Sequence, residues 1–366
     1  MIYLDYQATT PLAPEAREAM LPWLAGPGEA GFGNPHSAHR MGRQAAAAVE
    51  VARDQVAALL PPGGRVIFTG GATEGLNLAL QGCRGDVLTF AAEHAAVLDC
   101  VRPVTARGRG FTVLPVLEDG QASLEALRAA VLPGRPGIGL VAAMLVNNEI
   151  GTVNPLPEIA AIAREQGALV LCDAVQGYGR IAVPDCADLV AISAHKIHGP
   201  KGIGALWVRD GVELEPLMFG GGQEQGLRSG TLSPALCAGF GAAAKLAAER
   251  MAQDAAHVGA LWDRAREILS GWTLNGSAAQ RWKGNLNLRR EGLDVARLMS
   301  DVRDVCFSAG SACASGSGRP SHVLRAIGLS DAEAKSSIRL GFGRYTTLDE
   351  LERGVEKIER AARQQG

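Results

Sequence analysis

Seven short apolar runs recur between residues 65 and 208, at Arg65–Thr69, Asp86–Ala91, Phe111–Val116, Ile138–Val146, Ala168–Cys172, Asp188–Ile192 and Ile203–Val208. Most are separated by Ala-rich, helix-forming segments such as Leu124–Val131 and Glu158–Glu165. Runs of this kind read as strands buried on both faces. Their alternation with helices predicts an α/β fold built on a mainly parallel seven-stranded sheet, with helices on both sides. The last two runs are joined by only about ten residues, a link short enough for an antiparallel pair.

After Gly230 the pattern changes. Ser233 to Trp272 is helix-forming almost throughout, and a break is expected within it at a domain junction. Beyond it, short strands (Gly284–Leu288, Val305–Ser308, Ser337–Phe342) mix with helices (Leu293–Val302, Leu348–Arg363), which predicts a smaller α+β domain. The N-terminal strand Ile2–Asp5 is expected to join that domain, because Thr10-Pro11 and Pro14 end it before the first helix. A chain of 366 residues exceeds one ordinary core. The expected division is a large domain over residues 15–250 and a small one formed by 1–14 with 251–366.

The chain is 47% hydrophobic and 20% charged, with a formal net charge of −2. That balance gives no electrostatic reason to expect nucleic acid or an anionic membrane as a partner. The longest apolar run, Gly137 to Val146, is too short to span a bilayer. The opening residues carry an acid at Asp5 and no basic n-region, so no signal peptide is expected. Seven cysteines without paired spacing argue against a disulfide framework, and a reducing cytoplasm is the expected location. His195 and His198 flank Lys196 and do not suggest zinc; no metal is expected.

The chemistry concentrates where strands end. ADLVAISAHKIHGPKG closes an apolar run with Ser193-Ala194-His195-Lys196. A lysine there is out of place for packing and well placed to hold a carbonyl cofactor as a Schiff base. In ALVLCDAVQG another run ends in Asp173, with Gln176 three residues on. An acid at one strand end and a lysine at another are the pair that pyridoxal 5'-phosphate (PLP) needs, the acid keeping the pyridine nitrogen protonated. RVIFTGGATEGLNLAL runs strand, glycine turn, helix; Ala72 and Thr73 fall at a helix N-terminus suited to phosphate, although alone the motif reads as well as a cap. His94, after a strand, can lie over a cofactor ring or simply open a helix. Asn148 can serve the ring oxygen or form an Asx turn. The loop GGGQEQGLRSGTLS, with Thr231, suits a second phosphate contact or a linker.

SAGSACASGSGRPS places Cys313 among Ser, Gly and Ala, with nothing to build a core, which predicts an exposed loop and a nucleophilic thiol, the alternative being an incidental exposed thiol. The other six cysteines adjoin apolar or helical segments and read as small buried hydrophobes. Arg339, in SSIRLGFGR, offers a planar fork on a strand, suited to a substrate α-carboxylate or to a surface ion pair.

These blocks, with YLDYQATTP, FGNPHSAHR, EHAAVLD, VNNEIG, RSGT, GSACAS and SHVLRA, resemble in order the cysteine desulfurases, PLP enzymes of aminotransferase fold type I, in their iron–sulfur-cluster branch. The resemblance implies conversion of L-cysteine to L-alanine. The sulfur would pass to Cys313 as a persulfide and then to a sulfur-acceptor protein. It implies Lys196 as the Schiff-base lysine, Asp173 as the pyridinium partner and His94 stacked on the ring. Gln176 and Asn148 would reach the ring oxygen, with Ala72, Thr73, Ser193 and His195 at the phosphate. Arg339, with Asn148, would bind substrate, and Thr231 would reach the phosphate of a neighbouring subunit in a homodimer. A selenocysteine lyase or related aminotransferase is the alternative within the same chemistry. Ala194 and Ala309 depart from the glycine or serine more usual in the family.

Overall fold

The computed structural model describes residues 1–131, 137–310 and 320–365. After a short strand β1 (Ile2–Tyr3), seven strands build one sheet: β2 (Gly64–Thr69), β3 (Asp86–Phe90), β4 (Phe111–Leu114), β5 (Ile138–Met144), β6 (Leu169–Asp173), β7 (Leu189–Ser193) and β8 (Gly204–Arg209). Each overlaps one of the seven predicted runs. Their spatial order is β2-β8-β7-β6-β5-β3-β4. β8 lies antiparallel between β2 and β7, and the remaining pairs are parallel.

Alternate residues on each strand feed two different cores. Leu189 and Ala191 of β7 face one core with Leu76, Ala79 and Leu80 of the helix Ala72–Gly82. Val190 and Ile192 face the other, with Phe240 and Ala244 of the long helix Pro234–Ile268. Burial on both sides explains why these strands read as unbroken apolar runs.

The helix Pro234–Ile268 runs 35 residues without the predicted break. Ser233 caps its start and proline takes its first turn, and Ala-rich, proline-free sequence carries it past residue 250. The C-terminal part holds β9 (Thr273–Leu274), β10 (Asn285–Arg289), β11 (Val305–Cys306), β12 (Ser308–Ala309) and β13 (Ser337–Gly341). β12-β13-β10-β9 form an antiparallel sheet, while β11 pairs in parallel with β1. The predicted strand Val305–Ser308 is thus divided between two sheets. The helix Leu348–Arg363 opens with a capping box, Thr347 with Glu350, and buries Leu351, Val355 and Ile358 in the core that holds Ile2 and Leu4.

Gly341 lets the N-terminal segment cross β13. A Cβ there would lie 1.7 Å from Gln7 Oε1 and 2.8 Å from the Tyr6 backbone nitrogen. Among the described residues no helix is long and apolar enough to cross a membrane.

Candidate active site

The carboxyl ends of β2, β3, β5, β6 and β7 open on one cavity of about 880 Å³. This is where open α/β sheets bind ligands, because the strand ends release their loops on one side. Ala72, Thr73, His94, Asn148, Asp173, Gln176, Ser193, His195 and Lys196 all line it.

Lys196 sits in the tight turn Ala194–Lys196 directly after β7. Its Nζ donates to the carbonyls of Gln7 at 2.6 Å and Ala8 at 2.8 Å. Burial, then the nearby charges of Arg180 and Arg339, lowers its amine to about 8, against the pull of Asp5 and Asp173. Asp173 ends β6, the strand beside β7. Its Oδ1 accepts the Val175 N–H at 3.0 Å. Burial raises its carboxyl above the ordinary range, opposed by His94, that N–H and Lys196. Among the described residues it has no salt-bridge partner within ion-pair distance.

His94 caps the short helix Ala95–Leu98, its Nδ1 accepting the Ala96 N–H at 3.0 Å. The neutral ring therefore carries its proton on Nε2. Burial lowers its basicity, opposed first by Asp173. His195 is lowered to about 4 by burial and by Lys196, Lys201 and Arg180, and its Nδ1 lies 3.1 Å from Thr9 Oγ1.

The helix Ala72–Gly82 begins without a side-chain cap, so its first N–H groups face the cavity unserved by the chain's own side chains. Gly204 of β8 keeps this turn close to the sheet: a Cβ there would strike Ile192 O at 2.5 Å and the Gly71 backbone at 2.8 Å. Asn148 Oδ1 is buried and has no partner among the described residues. An uncapped helix N-terminus, a buried acid lacking a cation and an orphaned amide oxygen around a lysine amine fit the phosphate, ring nitrogen and ring oxygen of PLP.

Arg339 and Thr231 lie outside the cavity lining. Arg339 is fully buried in β13; its Nη2 donates to Asp5 Oδ1 at 2.8 Å and Ser308 Oγ at 3.3 Å, and its Nη1 to the Asn148 carbonyl at 3.1 Å. Its Nε is buried with no partner. Thr231 is exposed in the loop whose Arg228 pairs at 2.7 Å with Glu74 on the cavity rim.

Cys313 lies outside the described residues. The described chain before it is tied to β13, and the described chain after it to Glu149 and Glu93, next to the cavity residues Asn148 and His94. Gly310 N–H donates to the Ser337 carbonyl at 2.7 Å, Ser321 Oγ donates to Glu149, and His322 Nε2 lies 2.8 Å from the Glu93 carbonyl. Of the other cysteines, Cys83, Cys100, Cys172, Cys186 and Cys237 are buried, and burial pushes each thiol up, Cys100 to about 11. Cys306 is half-buried.

Sequence reasoning missed Gln7, Ala8 and Thr9, which reach the cavity from the N-terminal segment, and Lys201 and Asn77 on its wall. The first three act through backbone carbonyls, or through a hydroxyl beside a proline-bearing turn, so residue type alone gives little signal.

The family Aminotransferase class-V matches residues 2–353. Cysteine desulfurase IscS of Rickettsia rickettsii (strain Iowa) is 44% identical over 98% of this chain and 90% of its own length. The solved NifS-like protein from Rickettsia africae ESF-5 superposes with a TM-score of 0.89 at 28% identity, covering 99% of each chain. A structure described as SspA in complex with cysteine superposes with a TM-score of 0.82 at 34% identity, over 95% of this chain and 100% of that one. Strand-end geometry and sequence agree: the chain belongs to the class-V aminotransferase family, among the cysteine desulfurases of PLP fold type I.

Proposed function

We propose that the protein is a PLP-dependent cysteine desulfurase that moves the sulfur of L-cysteine to Cys313 and then to an acceptor protein. The observation that carries this is the pairing of Lys196 and Asp173 on adjacent strand ends, facing one cavity with an uncapped helix N-terminus. PLP supplies a carbonyl that condenses with amines and a ring that accepts an electron pair.

The chain's own groups then divide the work. Lys196 Nζ would hold the cofactor and, once released, would take the substrate α-proton; its lowered amine is suited to base chemistry near neutrality. Asp173 would gain the cation it lacks on facing a protonated ring nitrogen. His94 would lie against the ring with its proton on Nε2. Gln176 and Asn148 would serve the ring oxygen, and Ala72, Thr73, Ser193 and His195 would hold the phosphate. Arg339, with Asn148, orients the substrate carboxylate. The Cys313 thiolate attacks the substrate sulfur: an S–S bond forms as the C–S bond breaks. The carbon keeps the electron pair and gains a proton, leaving alanine and a persulfide on Cys313.

The same reading assigns Thr231 to the phosphate site of a second subunit, and so a homodimer with two composite sites. It places the enzyme in the cytoplasm, delivering sulfur to an iron–sulfur scaffold or thiolation partner. It divides the chain at residues 15–250 and 1–14 with 251–366. The reading is tested by exposing the holoenzyme to sulfur-labelled cysteine. One alanine per turnover and label on the Cys313 peptide are expected; label on Cys306 or Cys100 instead overturns the sulfur route.

A further inference from the structure

Behind the cavity lies Arg180, a residue the reaction scheme does not use. Its guanidinium reaches only neutral acceptors. Nη1 donates to the Gln176 carbonyl at 3.2 Å and to Gln176 Oε1, and Nη2 donates to the Lys196 carbonyl at 2.7 Å. The Gln176 Nε2 donates onward to the Gln7 carbonyl at 3.0 Å, the same oxygen that accepts Lys196 Nζ at 2.6 Å. Arg180, Gln176, Gln7 and Lys196 thus close a ring of hydrogen bonds. Among the described residues no carboxylate pairs with Arg180. Burial lowers the guanidinium to about 10, yet leaves it charged at neutral pH. A desolvated cation without a counter-ion is costly, and sites that keep one generally use its field.

The groups that act on the Lys196 amine are Arg180 and Arg339 against it as cation, Asp5 and Asp173 for it, and the rings of His94 and His195. Both histidines are lowered by burial and are neutral near pH 7. Arg339 is ion-paired with Asp5 at 2.8 Å. That leaves Arg180 as the cation with no local compensation.

We propose that Arg180 is a positioning residue for Lys196: its fork fixes the Gln176 amide and the Lys196 backbone, and its uncompensated charge disfavours a second cation at Lys196 Nζ. A guanidinium suits this task because it forks to two carbonyl-type acceptors and does not itself give up its proton. The inference rests on Lys196 as the cofactor lysine.

The test follows the protonation of Lys196 in the full chain after cofactor removal, by reductive methylation across pH with the Lys196 peptide quantified by mass spectrometry. Arg180→Gln is expected to raise the midpoint by about 1 pH unit. The pH midpoint of the holoenzyme's visible absorbance is expected to move the same way. Arg180→Lys keeps the charge and loses the fork, so its midpoint stays near that of the wild type. A wild-type midpoint in Arg180→Gln overturns the proposal. Should Arg180→Gln fail to fold, Arg180→Met removes the same charge and must also raise the midpoint; no rise there overturns the proposal equally. Borohydride fixation of the cofactor in the wild-type holoenzyme separately tests Lys196 itself, so the two readings fail in distinguishable ways.

Discussion

Arg339 and Asp5 meet at 2.8 Å across a sequence separation of 334 residues, with the arginine side chain fully buried. The pair presents a guanidinium already half-neutralised, its Nε unsatisfied and its Nη1 on the carbonyl of Asn148. A substrate carboxylate arriving there would share the fork with Asp5. Arg339→Lys is expected to raise KM for cysteine by about tenfold to a hundredfold, because a point charge cannot serve both acids. Asp5→Asn is expected to destabilise the fold by about 2 kcal/mol, leaving a buried cation partly uncompensated. Steady-state kinetics and urea unfolding check the two; an unchanged KM in Arg339→Lys removes Arg339 from substrate binding.

The cofactor should depend on Lys196 alone. Wild-type protein is expected to be yellow, with borohydride fixing the cofactor to the Lys196 peptide. Lys196→Ala should lose both properties. Fixation on Lys201, which also lines the cavity, would reassign the site.

Stability should vary with pH through the same lysine. Its amine titrates near 8 in the folded chain, against 10.5 ordinarily. The unfolded chain therefore binds more protons between these values, and the stability owed to this group rises with pH across that window. At neutral pH the depressed amine costs the cofactor-free protein about 2 kcal/mol after allowance for its partial exposure. Lys196→Met should accordingly be more stable than wild type near neutrality, and the difference should shrink as pH climbs toward 10.5. A constant difference across the range would show that the amine is not depressed.

Cys313→Ser should abolish persulfide formation while cysteine still perturbs the visible spectrum, since Lys196, Asp173 and Arg339 remain. Mass spectrometry after brief exposure to cysteine decides it: wild type gains one sulfur on the Cys313 peptide. Wild-type sulfur release from the variant would exclude Cys313 as nucleophile.

Thr231 makes a claim about assembly. If it serves a second subunit's phosphate, sedimentation should give a dimer at micromolar concentration. Mixed dimers of Thr231→Val and Lys196→Ala chains should then hold one site with Lys196 and an intact Thr231 from across the interface, and should retain cofactor there better than the Thr231→Val homodimer does. A fully active monomer contradicts the assignment.

The sequence read well where one residue type in one place has one use. β6 ends in an acid and the turn after β7 in a lysine, and apolar runs buried on both faces mark their strands plainly. It read poorly where function resides in the backbone. Gln7 and Ala8 hold Lys196 through carbonyls that any residue possesses. Ser321 and His322 anchor on Glu149 and Glu93 through contacts about 170 and 230 positions away in sequence, beyond the reach of local pattern. The break expected near residue 250 is absent because propensity there favours helix throughout. The division of Val305–Ser308 between two sheets was hidden because both halves look alike as strand.

β1 pairs with β11, and the carbonyls a few residues after β1 take the Lys196 ammonium. On a ribosome the β1 segment must therefore wait for strand partners synthesised about three hundred residues later. Until then the lysine emerges without its acceptors. The β1 segment finds its partner only after β11 is made, so the reactive amine is furnished with its surroundings late in synthesis.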